Sequence, residues 1–487
     1  MSSQHYNALI LGSGQSGTPL ASHLKSLGLS TCLVERSHIG GCCVNEGCTP
    51  TKTMVASGRV AYLARRGADY GVYLRGNGED EVKVDMQKVR ERKRAIVKSF
   101  REGSERRLRA AGVEVLEGEG RFMGDKEVVV RLNGGGENHL TADKIFINVG
   151  CRPSRPADIK GLHTIDQSRV LDSTSIQELD EVPEHLVVLG GGYVGLEFGQ
   201  LFRRLGAKVT VIHRGARLFS KRDDPELVEC MQDILKEDGI DIFLNATGTT
   251  VSTHDDPKLP ILLSSRTPSN DDAKAVRASH ILLATGRIPN TDSLGLENTG
   301  IKTTPSGHII ASFTLATNVR DVYAMGDVRG GPAFTHVSYD DFRIIRDNPF
   351  ISGTKTEGNV KTTLERTLFI PSVVYTDPQL AHIGPKLGDL PKGMEVHTYS
   401  MPGTWIARGL ETDETRGMLK AVVEPESGRI VSFSAISPEG GELMAVVQMA
   451  MVGGIKWKQL QDMVFAHPSW SESLNNLWGG EMREFTI

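Results

Sequence analysis

The sequence has no apolar run approaching the roughly 20 residues that a helix needs to cross a bilayer. No membrane partner is therefore expected. Its first residues, Met1 to Tyr6, carry neither a charged-then-apolar secretory signal nor an Arg-rich transit segment. The cytoplasm is the expected location. There is little excess charge of either sign: 56 Lys and Arg against 60 Asp and Glu leave a formal net charge of -4, which gives nucleic acid no bulk attraction. Cysteine is scarce as well, six in 487 residues. That is too few for a disulfide-stapled secreted chain, so a reactive pair in a reducing compartment reads as catalytic or redox-sensing. What is present, 39% hydrophobic and 24% charged residues, is the composition of a soluble globular protein, and the length predicts two to four domains.

An apolar run, Asn7 to Leu11, leads into Gly12-Ser13-Gly14-Gln15-Ser16-Gly17 and then a helix ending near Leu27-Gly28. A second strand, Ser30 to Val34, ends on Glu35, eighteen residues after Gly17. Glycines in this order permit a tight turn and close approach to a pyrophosphate on the helix N-terminus, and the acid takes ribose hydroxyls. The glycine pattern alone is weak evidence. Strand, helix and acid in register make it a dinucleotide fingerprint.

Gly40-Gly41-Cys42-Cys43-Val44-Asn45-Glu46-Gly47-Cys48-Thr49-Pro50-Thr51-Lys52 follows at once. Cys43 and Cys48 are five positions apart, a step that in an ideal helix rises about 7.5 Å and turns the second side chain roughly 140° away. They can bridge only across a bend. Gly47 offers conformational freedom there, and Pro50 suits the first turn of a helix beyond it. A disulfide held by such a turn would be exchangeable. The alternative is two reduced, buried thiols without partner chemistry.

A helix is predicted through Met54 to about Arg66, and a long basic one from about Val84 to Ala111. In the latter Val89, Ile96, Phe100 and Leu108 recur at helical spacing as a buried face, with Arg90, Arg92, Lys93, Arg94 and Arg101 elsewhere. Glu91, Glu102 and Glu105 interrupt the basic run, so it reads as a solvated face and not a nucleic-acid patch. Short β-rich pieces then run to Lys144-Ile145-Phe146-Ile147-Asn148-Val149-Gly150.

Leu186 to Leu189 leads into a second fingerprint, Gly190-Gly191-Gly192-Tyr193-Val194-Gly195. Its second strand, Lys208 to Ile212, ends on His213, with Arg214 and Arg217 behind. Loss of the ribose-binding acid and gain of cations suits a 2′-phosphate, so NADPH is predicted over NADH. The alternative is that His213 and Arg214 face solvent and either nucleotide serves. Polar stretches at Thr253 to Pro257 and Ser264 to Lys274 read as loops or hairpins. Further on come the buried strand Ile281-Leu282-Leu283-Ala284 with Thr285-Gly286-Arg287-Ile288-Pro289-Asn290, the run Asp321 to Asp327, alternating strands past about Pro349, and Phe465-Ala466-His467-Pro468-Ser469-Trp470-Ser471-Glu472.

Two fingerprints flanking Cys-x4-Cys, then Ala-Thr-Gly-Arg-x-Pro-Asn, a Gly-Asp pair and a late His-Pro-Ser-x-Ser-Glu, resemble the class I pyridine nucleotide-disulfide oxidoreductases. That family includes glutathione reductase, dihydrolipoamide dehydrogenase and mercuric reductase. Phe334 to Arg343, His467 to Asn475 and the Gly-Gly-Gly-Tyr-Val-Gly sequence most resemble the reactive-chlorine-resistance copper(II) reductases, which are often mis-grouped with mercuric reductases.

The resemblance implies an α/β fold with two Rossmann-like, three-layer ββα nucleotide-binding domains and a C-terminal α+β dimerisation domain. The FAD-binding domain would span 1–155 and 285–349, the NAD(P)-binding domain 156–284 and the interface domain 350–487. It implies FAD held by Gly12, Ser13, Gly14, Ser16, Gly17 and Glu35, together with Gly41, Lys52, Gly120, Gly150, Arg287, Gly326 and Asp327. For NADPH, with NADH possible, it implies Gly190, Gly192, Tyr193, Val194, Gly195, His213, Arg214, Arg217 and Gly286. Lys52 would sit near the flavin with Glu197 as its partner, and Tyr193 would cover the nicotinamide face and swing aside; otherwise Tyr193 is a core tyrosine.

Hydride would pass from nicotinamide to flavin and open a Cys43-Cys48 disulfide. Cys48 would face the flavin and Cys43 the acceptor. His467, acting across a homodimer and oriented by Glu472, would serve as acid-base, with the segment 467–472 a turn opening a helix. Three departures stand out. Cys42 replaces the usual Thr, either a soft-metal ligand or simple drift. Asn148-Val149-Gly150 replaces Ala-Thr-Gly. No cysteine follows Cys230, so the second cysteine pair of mercuric reductases is missing. No resident metal site is expected. The acceptor is expected to be a metal ion such as Cu(II) or Hg(II), a disulfide or another oxidant. The alternatives are a dihydrolipoamide dehydrogenase or glutathione-reductase-like enzyme, and a non-catalytic FAD-binding sensor.

Overall fold

The computed structural model describes residues 3–73, 82–220, 222–267, 270–348 and 360–487. Their contacts divide the chain into two units: Met1–Thr53 with Lys88–Ser154 and Gly286–Thr367, and Met54–Gln87 with Arg155–Thr285 and Leu368–Ile487.

In the first unit β1 (Gln4–Leu11) is followed by α1 (Gly17–Ser26), β2 (Thr31–Glu35), α2 (Gly41–Asn45) and the start of α3 (Cys48–Arg65). Then come α4 (Met86–Ala110), β3 (Glu114–Gly124), β4 (Glu127–Leu132) and β5 (Glu137–Ile147). β1 pairs in parallel with β2 and β5, the start of β3 extends the sheet beyond β2, and Val322–Ala324 extends it beyond β5. The far part of β3 and the near part of β5 leave this sheet to form an antiparallel layer with β4.

Alternation along β1 shows how the layers close. Leu9 and Leu11 pack with Phe122, Val128, Val130 and Leu140 of the antiparallel layer, while Ala8 and Ile10 pack with Leu20 and Leu24 of α1. Where a strand is covered on both faces it has to be apolar, as Ala8 to Leu11 are; the exposed start of β1 keeps Gln4 and His5.

In the second unit β6 (His185–Leu189) and β7 (Lys208–Ile212) lie in a five-stranded parallel sheet flanked by Ile240–Phe243, His280–Leu283 and Val170–Leu171. α5 (Tyr193–Leu205) connects β6 to β7, and α6 (Pro225–Glu237) follows, its N-terminus capped by Asp224. An antiparallel layer, Thr247–Thr253, Ile261–Thr267 and Asn270–Ala278, completes the same three-layer plan. Within the polar stretch, Ser264 to Thr267 and Asn270 to Lys274 are paired antiparallel strand. The C-terminal part is a six-stranded antiparallel sheet, with Gly440–Val452 packed on it through Leu443 and Val447 against Ala381 and Phe433. Side chains of α5 bind this part: Glu197 Oε1 accepts the Tyr375 N–H at 2.7 Å, and Gln200 both accepts the Asp377 N–H and donates to its carbonyl.

Two expectations change. The expected boundary at 349/350 lies outside the described residues. In α4 the buried stripe is Met86, Lys93, Val97, Ser104 and Leu108, whereas Ile96 and Phe100 are 37% and 55% exposed. Ile96 and Phe100 follow Lys93 and Val97 by three residues with the same four-residue step, and spacing alone does not decide which pair is covered. The covered stripe carries Lys93, whose long aliphatic stem suits such a position.

Candidate functional site

α2 stops at Asn45, Glu46 leaves helical geometry with φ -138°, and α3 begins at Cys48. This break is the bend that the cysteine spacing demands. Left-handed backbone occurs before it, at Gly40 (φ 103°) and Gly41 (φ 63°). Gly47 is needed for space: a Cβ there would lie 3.0 Å from the Cys42 carbonyl oxygen and 3.3 Å from Cys43 Cα. Cys43 and Cys48 are free thiols, as are Cys42 and Cys151, so the expected disulfide stands here as a dithiol.

Both sulfurs meet one hydroxyl. Thr335, the first residue of α7 (Thr335–Arg346), donates to Cys43 Sγ at 3.0 Å and lies 3.2 Å from Cys48 Sγ. α7 begins with no side-chain cap and no acid in its first turn, so the sulfurs lie at its positive end. Cys48 beside it and burial push the Cys43 thiol up, while the Thr335 hydroxyl pulls it down. Cys42 turns to another partner, accepting from Arg287 Nη2 at 3.4 Å, and burial raises its pKa. The same Arg287 nitrogen donates to the Cys151 carbonyl at 2.5 Å, and burial pushes the Cys151 thiol up to about 12.

In the first fingerprint the buried Glu35 carboxylate accepts the Ser13 N–H at 3.0 Å and hydroxyl at 2.6 Å. Close approach makes the glycines obligatory. A Cβ on Gly12 would meet the Asn148 carbonyl oxygen at 2.4 Å, and one on Gly17 the Gly12 oxygen at 2.2 Å. Gly41 lies against Gly14, and Gly120 against Leu11. Ser16 is committed to α7, its hydroxyl donating to the Ser338 carbonyl at 2.6 Å. α1 starts without a side-chain cap or an acid in its first turn. Asp327 follows Gly326 (φ 70°), and its carboxyl is raised by burial against the opposing pull of Arg287. Uncapped helix N–H groups beside a buried carboxylate suit a dinucleotide's pyrophosphate and ribose. The first unit also contains Lys52, Gly150, Gly286 and Arg287.

The second fingerprint repeats the packing in the second unit. A Cβ on Gly190 would lie 2.3 Å from the Ala284 oxygen, and one on Gly195 2.2 Å from the Gly190 oxygen; one on Gly192 would meet nothing. Val194 is half-buried behind Tyr193, which opens α5 and is 43% exposed, so it is no core residue. His213 takes the place of the acid at the end of β7. Its Nδ1 accepts the Gly191 N–H at 3.1 Å, and burial and then Arg214 lower its pKa, so the ring is neutral and does for this loop what Glu35 does for the first. The positive charge is left to exposed Arg214 and half-buried Arg217, neither of which has an ion-pair partner among the described residues.

His467 Nδ1 lies 2.9 and 3.0 Å from the two Glu472 carboxylate oxygens, and Glu472 immediately precedes the short helix Ser473–Asn476. That pairing holds the ring proton on Nδ1 and leaves Nε2 to accept. The imidazole is 67% exposed.

Sequence reasoning missed Thr335, Asn148 as a contact residue, and Asp341, which is fully buried and accepts the Gly326 N–H at 2.7 Å. Thr335 carried a signal as a hydroxyl opening a helix after Pro332. Asn148 carried one as a polar residue closing an apolar strand.

A family model described as "Pyridine nucleotide-disulphide oxidoreductase" matches residues 6–341, and that family's dimerisation-domain model matches 370–477. The chain is 32% identical to the probable pyridine nucleotide-disulfide oxidoreductase RclA of Escherichia coli over 97% of its own length and 98% of the relative. It is 31% identical to a mercuric reductase of Staphylococcus aureus, over 96% of this chain and 81% of that one. The solved Cu(II) complex of the HOCl-induced flavoprotein disulfide reductase RclA from E. coli superposes with a TM-score of 0.83 at 30% identity, over 98% and 99% of the two chains.

Proposed function

The chain belongs to the pyridine nucleotide-disulphide oxidoreductase family, and from that premise we propose that it carries electrons from NADPH through FAD to Cys43 and Cys48 and on to a metal ion, Cu(II) first. The observation that carries this reading is Thr335, whose single hydroxyl reaches both sulfurs within 3.2 Å at the positive end of α7. Bound FAD supplies the two-electron relay between nicotinamide and thiols. Each NADPH delivers two electrons, so a turnover either reduces two Cu(II) to Cu(I) or opens one external disulfide.

In this reading 1–155 with 285–349 forms the FAD domain, 156–284 the NADPH domain and 350–487 the dimerisation domain. Arg214 and Arg217 hold the 2′-phosphate, with neutral His213 shaping the loop beneath them. Tyr193, at the exposed start of α5, covers the nicotinamide site, and Lys52 lies near the flavin. Cys48 faces the flavin, and Cys43 faces the acceptor with its thiolate supported by Thr335. In a homodimer the His467-Glu472 pair of each chain serves the cysteines of the other, taking a proton at Nε2. No helix among the described residues is long and apolar enough to cross a membrane; we place the protein in the cytoplasm.

A second reading, a disulfide as acceptor, draws on the His467-Glu472 pair, because a departing thiol needs a proton and a reduced metal ion does not. Anaerobic NADPH oxidation against Cu(II), Hg(II), oxidised glutathione, lipoamide and a quinone separates the two, with Cys43→Ser as control. Turnover with Cu(II) that disappears in Cys43→Ser is the expected result. Turnover with a disulfide alone selects the second reading, and none with any acceptor leaves a FAD-binding redox sensor.

A further inference from the structure

Asn148 closes the strand that ends at Ile147 and is almost fully buried. Its amide faces two ways: Oδ1 accepts the Gly17 N–H at 3.0 Å, and Nδ2 donates to the Met325 carbonyl at 2.9 Å. Its backbone N–H donates to the Leu11 carbonyl at 2.7 Å. One residue thereby joins the end of β1, the start of α1 and the strand leading into Gly326-Asp327. Only one orientation of the amide satisfies both side-chain bonds.

The amide has no room to relax. A Cβ on Gly14 would lie 2.6 Å from Asn148 Oδ1, and one on Gly326 2.9 Å from Nδ2. From Gly326 the frame continues into α7: the Gly326 N–H donates to Asp341, which also accepts from Arg329 Nε at 3.0 Å, and Ser16 meets Ser338. A hydrogen-bonded path therefore runs from the phosphate-facing loop through Asn148 to the helix whose first residue touches Cys43 and Cys48. Alanine at 148 would break it at its centre and leave a buried N–H and a buried C=O unpaired.

We infer that Asn148 is a positioning residue for FAD. It engages the Gly17 N–H, so that the loop presents its earlier N–H groups to the pyrophosphate, and it ties that loop to the segment carrying Asp327. The inference rests on the reading that the first fingerprint holds FAD. In this chain, removing the amide leaves the loop to be ordered as the cofactor binds, which weakens binding.

The test measures the FAD dissociation constant of deflavinated wild type, Asn148→Ala and Asn148→Asp by flavin fluorescence. The apoprotein melting temperature and, at saturating FAD, the KM for NADPH are measured alongside. Asn148→Ala should raise the FAD dissociation constant about tenfold, the scale of one or two buried neutral hydrogen bonds. Asn148→Asp should raise it further, because it sets a carboxylate oxygen against the Met325 carbonyl oxygen. The KM for NADPH should stay within about twofold, since the second fingerprint is untouched. An FAD dissociation constant within about twofold of wild type in the folded variants, or a rise matched by an equal loss in NADPH binding, would overturn the inference; Asn148→Asp gives the same reading if Asn148→Ala does not fold. A wild type that binds no FAD would instead overturn the reading beneath it.

Discussion

Replacing Thr335 by valine keeps the side chain's shape and β-branching but deletes the hydroxyl that lies 3.0 Å from Cys43 and 3.2 Å from Cys48. In the dithiol the hydroxyl supports whichever sulfur carries the negative charge. A hydrogen bond to a charged group contributes about 1.5–3 kcal/mol, and the partly open site argues for the lower end. At about 1.36 kcal/mol per unit, the first thiol pKa of the reduced enzyme should rise by about one unit. The sign follows from the geometry, because Thr335 pulls the Cys43 thiol down and its loss lets burial and Cys48 dominate. The positive end of α7 remains, so the shift should be partial. The assay is the alkylation rate of the reduced enzyme with iodoacetamide from pH 5 to 10, in wild type, Thr335→Val and Thr335→Ser. Because the two thiols are coupled, the curve reports pair values and not one residue's. Serine should restore the wild-type curve. A valine variant that titrates within about 0.3 units of wild type would refute the assignment of Thr335 to the thiolate.

Cys48→Ser should abolish the long-wavelength absorption of a thiolate beside the flavin while FAD stays bound; an unchanged spectrum in the reduced variant would remove Cys48 from the flavin side. The double variant Arg214→Ala, Arg217→Ala should lower kcat/KM for NADPH at least about tenfold, the scale of a lost charge-assisted bond, with NADH little changed. A wild-type preference for NADH would sink that reading. Burial, and then Lys208, push His185 down to about 4, so it is neutral in the fold while a free imidazole titrates near 6.5. Its contribution to stability is complete above about pH 6.5 and is lost as pH falls toward 4, because the unfolded chain then binds the proton. His185→Asn should therefore lose less melting temperature than wild type between pH 7 and 4.5, and parallel losses would contradict this.

Much of the nucleotide chemistry was legible because it depends on contacts between near neighbours. Gly17 has to clear the Gly12 carbonyl oxygen five residues away, so strand, glycine spacing and helix reveal themselves in order. The second fingerprint was read on the same ground. Its terminal residue, His213, is half-buried with Nδ1 accepting the Gly191 N–H, and burial lowers its pKa, a property that its place in the sequence does not show. In α4 apolar residues occur at helical spacing on more than one side, and packing covers Val97 and Leu108 but leaves Ile96 and Phe100 exposed.

Local order along the chain determined the two Rossmann-like folds and the bend between Cys43 and Cys48, because each is a matter of spacing over a few residues; the pairing of His467 with Glu472 was expected only from the family resemblance. Tertiary structure alone decided what surrounds them. Thr335 is 292 residues from Cys43, and Asn148 is 131 from Gly17 and 177 from Met325. No periodicity extends over such separations. Only the closing of the parallel sheet brings a strand end, a glycine loop and a helix N-terminus within hydrogen-bonding distance, and there a hydroxyl and an amide become part of the site.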